Sequence, residues 1–484
     1  MRKTRWVRAW VLGVLGLAEL IVSAAVHLAY GAYIFFTAVA ADLSQCLVDG
    51  VTTPVAGELI SEAVLDAGVP PIVLVHGIFG FGRGRLGGLS YFAGAEKKDD
   101  RVLVPDLGSL TSVHDRAQDS RAVLLPQRRA GGLRGGAQKG STGTLSLAEP
   151  THAVRPRKLN YLSAPGILFY LPSADGRVAG HYTVWDEEHP VHFVGHSAGA
   201  QVIRLLQQML HDKAFEGYDD TSERWVLSVI SLSGALNGTT RAYLDGMQAE
   251  DGRSLKPACL LQICRVGCIL YHWLDVPWLE RYYDFGFDHF PMSRRTVGMH
   301  GLPTLLVGDV GPFATGDWIL PDLTIQGAAR INASVRTFPC TFYFSYASRR
   351  TAKVWGGSGI LRIHPLLFIR VLQMCRWRHP SGPPYKGYRD EDWEDNDGAI
   401  NTISMTHPRI PVEHPSHYVQ VDSDCHPLQP DIWYYKIVEA DHMTFVINRQ
   451  RGGVQFDLIY DSIFQNCRKH VFRTAPPPTL PNQS

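Results

Sequence analysis

Val191-His192-Phe193-Val194-Gly195-His196-Ser197-Ala198-Gly199-Ala200-Gln201-Val202-Ile203-Arg204-Leu205-Leu206 decides the fold. A short apolar, β-branched run ends in a glycine–serine–glycine turn and passes straight into apolar residues at helical spacing. That is a buried strand, a tight turn and an amphipathic helix. G-x-S-x-G by itself is a weak pattern, and its place between strand and helix gives it weight. At a nucleophile elbow the serine occupies a strained turn, so its flanks must lack bulk, and Gly195 and Gly199 provide this. The bland alternative is a plain glycine turn opening a helix.

Working outward, Ile72-Val73-Leu74-Val75 reads as a second buried parallel strand, ending at His76-Gly77 in a glycine-rich loop that runs to Gly88. No Gly-Lys-Ser/Thr follows, so phosphate binding is the poorer reading and a tightly turning loop the better one. A serine hydroxyl is a poor nucleophile until an imidazole removes its proton. In folds with this elbow the partners follow in the order serine, acid, histidine. Trp433-Tyr434-Tyr435-Lys436-Ile437-Val438 is a strand candidate followed by Glu439-Ala440-Asp441-His442, which places His442 just past a strand's carboxyl end. His407, His414 and His417, in a proline-rich loop, are its nearest competitors. Asp390, Asp392, Asp395 and Asp397 share one acidic loop, and the pattern alone does not choose among them.

The chain has 484 residues, 47 Lys+Arg against 46 Asp+Glu, and 45% hydrophobic residues. Near-neutrality removes the electrostatic case for nucleic acid, and the apolar content excludes disorder throughout. Eight cysteines are too few for a disulfide scaffold, and no C-x-x-C pair suggests zinc or redox chemistry. Arg2, Lys3, Arg5 and Arg8 precede a largely apolar stretch over residues 9–41. It is longer than a signal peptide's apolar core of about 7–15 residues and close to the roughly 20 of a spanning helix. Residues 1–45 are therefore expected to be a membrane anchor, with a cleaved signal or a buried helix pair as alternatives, and residues 475–484 a disordered Pro-rich tail.

Val75-His76-Gly77-Ile78-Phe79-Gly80, the elbow, Glu394-Asp395-Asn396-Asp397-Gly398-Ala399-Ile400-Asn401-Thr402 and Asp441-His442 together resemble the lipases typified by thermoalkalophilic bacilli. The likeness is greatest to their plant triacylglycerol-lipase-like relatives, over about residues 5–116 and 181–484. The resemblance implies an α/β-hydrolase fold over residues 46–474, with a mostly parallel sheet and helices on both faces. It implies Ser197 as nucleophile, Asp397 as acid, His442 as base, and the backbone N–H groups of Ile78 and Ala198 as oxyanion hole. The expected activity is hydrolysis of acylglycerol-type esters at a lipid surface without a cofactor, by a protein attached to the endoplasmic reticulum or another endomembrane. A lipid-binding protein with impaired turnover and a short-chain esterase are the alternatives. Residues 259–271 carry more apolar surface than one helical face needs, which suits either a core helix or a lid over the serine.

Three departures from the family matter. The position two residues after His442 is Thr444, where bacterial relatives have a calcium-binding glutamate, so no calcium site is carried over. Asp115 and Asp322 match the family's zinc aspartates, but its zinc histidines have no counterpart, so no metal is expected. Lastly, residues 116–158 hold nine Arg or Lys, Asp119 and Glu149, and no aromatic residue, with no helical period. That composition reads as a disordered basic insert. With permitted codons chosen for residues 122–138, reading one nucleotide later gives Leu-Phe-Tyr-Tyr-Leu-Lys-Gly-Gly-Gln-Val-Asp-Tyr-Gly-Glu-Glu-His, a family-like segment. Residues 118–180 are therefore expected to be out of the family's frame, which is regained near His181; a genuine insert is the competing reading.

Overall fold

In the computed structural model, residues 69–82, 86, 89–99, 101–124, 185–215, 217–308, 310–351, 365–420, 428–447 and 449–468 are described. They build a seven-stranded sheet in the order β2-β1-β3-β4-β5-β7-β6. The strands are β1 (Ile72–Val75), β2 (Val102–Leu103), β3 (Val191–His196), β4 (Val226–Leu232), β5 (Phe342–Ser348), β6 (Ser416–Tyr418) and β7 (Trp433–Val438). Every neighbouring pair is parallel. A parallel sheet with helices on both faces fits the α/β-hydrolase-like fold expected for this part of the chain.

Burial explains the strand composition. Alternate residues of a strand face opposite sides of the sheet. Val73, Val75, Phe193 and Val229 enter one core, while Ile72, Leu74, Val194 and Ile230 enter the other. A helix layer covers each face, so the inner strands are buried on both sides and mostly apolar rather than alternating, with serines and histidines among the buried residues. On the first face lie α1 (Val113–Leu124) and α2 (Gly199–His211), the latter burying Val202, Ile203 and Leu206. On the second lies α5 (Arg449–Arg468), which buries Phe456, Ile459, Tyr460 and Ile463. Two further helices, α3 (Leu260–Leu274) and α4 (Ile325–Ser334), belong to the long connection between β4 and β5. Strand order reverses about β1, whose neighbours are β2 and β3, and ligands bind at such a switch point outside the strands' carboxyl ends.

The expectation of no helix beyond residue 116 is corrected. α1 runs on to Leu124 because Val113, Arg116, Ala117 and Ser120 form a buried stripe at helical spacing. Its first turn is capped by the Ser112 hydroxyl, which accepts from the Asp115 amide at 3.2 Å. The sequence signal was obscured because an arginine and a serine occupy positions where an apolar stripe is sought. Residues 1–45, 125–184 and 475–484, with the anchor, most of the frame change and the tail assigned to them, lie outside the described residues. Among the described residues no helix is long and apolar enough to cross a membrane.

Phe193 is fully buried in β3 and its ring meets Trp185 edge-on at 6.0 Å. Phe193→Ala should cost about 3–5 kcal/mol of stability, the usual penalty for a phenyl-sized cavity, measurable as a shift of the denaturant midpoint.

Candidate active site

β3 ends at His196, and Ser197 follows with a left-handed φ of 57°, a conformation that is uncommon outside glycine. Backbone bonds hold the turn: the Ser197 amide donates to Leu232 O at 3.0 Å, and the Ala200 and Ala235 amides donate to Ser197 O, each at 3.2 Å. The flanking glycines are steric necessities. A Cβ at Gly195 would lie 2.5 Å from Ile203 Cδ1, and one at Gly199 would lie 2.4 Å from Val75 O.

Past the end of β7, the His442 Nδ1 hydrogen bonds to Asp397 Oδ2 at 2.8 Å. Asp397 is wholly buried. Its Oδ2 also accepts the Ser348 hydroxyl at 2.5 Å, and its Oδ1 accepts the Ala399 and Ile400 amides at 2.9 and 2.8 Å. These donors fill the acceptor sites of the carboxylate. Ser348 spends its one proton on Asp397, so the 2.8 Å contact with Ser233 runs from the Ser233 hydroxyl to Ser348 Oγ. The loop that delivers Asp397 is pinned by buried asparagines, Asn396 bridging to Asn401 and Asn401 bonding Thr240.

The competing acids are engaged elsewhere. Asp390 accepts from the His379 amide and the Tyr388 hydroxyl, Asp392 pairs with Arg389, and Asp395 accepts the Thr351 hydroxyl. Of the competing histidines, His407 pairs with Glu413 at 2.8 Å, while burial pushes His414 down to about 4. His417 lies on the exposed edge strand β6. His442 sits beside the elbow, with His196 Nε2 donating to its carbonyl at 3.2 Å and the two rings 4.7 Å apart. Ser197 and His442 are both buried.

The amides of Ile78 and Ala198 donate to no backbone carbonyl among the described residues. They follow the ends of β1 and of the Ser197 turn.

Among the described residues, one cluster could hold a metal ion. Ligand atoms of Asp115, His289 and Asp317 all lie within 4.8 Å of one another. Two carboxylates and an imidazole are three of the roughly four ligands zinc takes. His114 Nδ1 stands 3.8 Å from Asp115 Oδ1, and its pKa is raised chiefly by that carboxylate. Asp322, paired with Asp115 on the sequence, is instead bound to the first turn of α1, accepting from the Val113 amide at 2.9 Å. Its carboxyl is pushed up to about 6 by burial. The sequence missed His289 and Asp317 because neither sits in a spaced metal motif. Neither reading of residues 259–271 fails: α3 buries Leu261, Cys268 and Ile269 yet exposes Ile263, Val266, Leu270 and Leu274.

Sequence reasoning also missed the buried histidines behind the site. Burial, then the Arg116 guanidinium, holds His76 down from 6.5 to about 3, and burial lowers His196 strongly. The folded His76 is neutral, whereas an unfolded histidine titrates near 6.5. Below that value the unfolded chain binds more protons, so stability present at neutral pH is lost as pH falls from about 6.5 toward 3. At about pH 4.5 this one ring should cost roughly 2–3 kcal/mol. Urea melts at about pH 7.5 and about 4.5 should register it, with a smaller difference in His76→Gln.

No family model matches the chain. It is 28% identical over 231 residues to a lipase of Staphylococcus hyicus, covering 46% of this chain and 33% of that protein. A Staphylococcus epidermidis lipase is 24% identical over 243 residues, 47% of this chain and 32% of that protein. The chain thus spans about a third of the length of these relatives. Among solved structures, Staphylococcus hyicus lipase superposes with a TM-score of 0.56 at 20% identity, over 84% of this chain and 95% of that one. EstA from Clostridium botulinum gives 0.51 at 21% identity, over 82% and 87%. Lipase 1 from Pelosinus fermentans gives 0.51 at 20% identity, over 82% and 99%. In sequence the chain is related to the staphylococcal lipases, and in fold it stands with these bacterial lipases and esterases.

Proposed function

We propose that this chain is a carboxylic-ester hydrolase of lipase type, acting on acylglycerol-like lipid esters through Ser197, His442 and Asp397. The observation that carries the reading is the 2.8 Å bond from His442 Nδ1 to the buried Asp397 carboxylate, beside a serine held at a φ of 57°. With Nδ1–H committed to Asp397, Nε2 is the basic nitrogen. It accepts the Ser197 proton as Oγ attacks the ester carbonyl, and Asp397 stabilises the imidazolium without being protonated. The Ile78 and Ala198 amides receive the oxyanion, and each such donor is worth about 3–4 kcal/mol in the barrier. Collapse expels the alcohol with the proton from His442, and water activated by the same nitrogen releases the acid. This scheme requires no cofactor.

The exposed apolar face of α3 and the half-exposed Phe79, next to Ile78, support a lipid surface as partner and α3 as a lid. The basic and apolar run of residues 1–45 supports attachment to an endomembrane. The composition of residues 118–180 supports a frame different from that of the plant relatives. Genomic and transcript reads whose codons forbid the shifted reading would refute it.

Hydrolysis of an acyl-ester series tests the activity. Ser197→Ala should reduce turnover to background, and Asp397→Asn should lower kcat by about 10³–10⁴-fold by stabilising the wrong imidazole tautomer. A rate that rises with chain length and at an interface fits a lipase, and the opposite trend a short-chain esterase. Equal rates from wild type and Ser197→Ala would leave a lipid-binding protein.

A further inference from the structure

Arg116 is a fully buried guanidinium with no carboxylate in ion-pair contact among the described residues. A charge taken out of water without a counter-ion is costly, so what it touches matters. Its Nη1 donates to Gly77 O at 3.3 Å and its Nη2 donates to His76 O. Both carbonyls belong to the loop leaving β1. The Gly77 oxygen collects two further donors, the Gly80 amide at 3.1 Å and His76 Nδ1 at 3.0 Å. The ring tautomer follows from its other side. The Leu107 amide donates to His76 Nε2 at 3.3 Å, so the neutral ring carries its proton on Nδ1, directed at Gly77 O. The 3.1 Å approach of Arg116 Nη2 to that nitrogen is then a contact rather than a bond. At the other end of the same residue, the Gly77 amide donates to Tyr91 Oη at 3.2 Å. Tyr91 donates in turn to His196 Nδ1 at 2.9 Å, since His196 Nε2–H is spent on the His442 carbonyl.

We propose that Arg116 and Tyr91 are positioning residues that aim the Ile78 N–H at the oxyanion by clamping Gly77 at its carbonyl and its amide. The reasoning is geometric. A trans peptide is planar, with its C=O and N–H pointing in opposite directions. Fixing the oxygen of the Gly77–Ile78 peptide therefore fixes the direction of the Ile78 N–H, which donates to no backbone carbonyl among the described residues. Preorganised donors stabilise a developing oxyanion because they need no reorientation during the reaction. Arg116 also sets a permanent positive charge behind that peptide. No side chain at position 77 can do this work, because a Cβ there would lie 2.8 Å from Ser197 Cβ.

This inference rests on the hydrolase reading, and the test separates the two. Tyr91→Phe keeps the ring against Phe81 and Phe92 while deleting the hydroxyl, and Arg116→Lys keeps the charge while losing the two-carbonyl fork. Both should lower kcat by about 10- to 100-fold with KM within about two-fold, and weaken a trifluoromethyl ketone inhibitor in proportion to kcat/KM. Arg116→Met should be worse than Arg116→Lys. Amide hydrogen exchange across residues 76–80, followed in the unliganded protein, should quicken in each variant whose melting curve still shows it folded. Unchanged exchange, or an unchanged kcat beside an inactive Ser197→Ala, overturns the clamp. Activity that survives Ser197→Ala overturns the hydrolase reading instead, and exchange still decides the clamp.

Discussion

The contact on which the rest depends is the approach of the end of β1 to the Ser197 turn. A Cβ on Gly77 would lie 2.8 Å from Ser197 Cβ, and a Cβ on Gly199 would lie 2.9 Å from His76 O. Main chain meets main chain here, Gly199 packing against the carbonyls of Val75 and His76. It is possible because β1 and β3 are parallel neighbours that both end at the same level, Val75 opposite Gly195. The left-handed backbone of Ser197 is unfavourable in isolation. It persists because the β4 side of the turn and the first turn of α2 leave no alternative to it.

Polar groups buried around the site follow one rule: each is spent on a backbone or loop that has to be held in a stated orientation. Asp397 takes the amides of Ala399 and Ile400 as well as the two side-chain donors, so the loop and the carboxylate fix each other. His196 and Tyr91 tie β1, the elbow and the carbonyl of His442 into one directed chain of hydrogen bonds. Arg204, also buried, is held differently, its Nη1 donating to the side-chain oxygens of Gln201 and Asn332 while Nη2 has no partner among the described residues. In a low-dielectric interior such networks are rigid when fully paired and expensive when not. That makes them suited to positioning.

What was legible in the sequence was whatever is local. Strands β1, β3 and β7 announce themselves as apolar runs, and the elbow and His442 fall just past strand ends. The choice of Asp397 over Asp390, Asp392 and Asp395 was not local. It came from family likeness, and in the structure it depends on where Ser348 and the Asn396–Asn401 bridge place the loop. Ser233, Ser348, Tyr91 and Arg116 were illegible for the same reason. Their roles arise from pairings across more than a hundred residues, or between elements whose order in the sheet no periodicity reveals. The run of α1 beyond residue 116 was missed because its buried stripe includes Arg116 and Ser120, residue types that a hydrophobicity search scores as surface.

α1 shows how one anchored helical turn supports the elements around Ser197. Its buried apolar face near the site is small, chiefly Val113 and Ala117, so packing alone would hold it weakly. Its N-terminal turn is instead fixed by directional bonds to and from neighbouring elements. Asp322 takes the Val113 amide and Ser112 takes the Asp115 amide, while the Leu110 carbonyl takes the Ile319 amide just before the helix begins. Adjacent residues on that anchored turn then face two ways, Asp115 toward His289 and Asp317, Arg116 toward His76 and Gly77. An ion in the acidic cluster would tighten the same turn that carries the guanidinium. The support of the loop after β1 thus includes the first turn of α1, through Arg116.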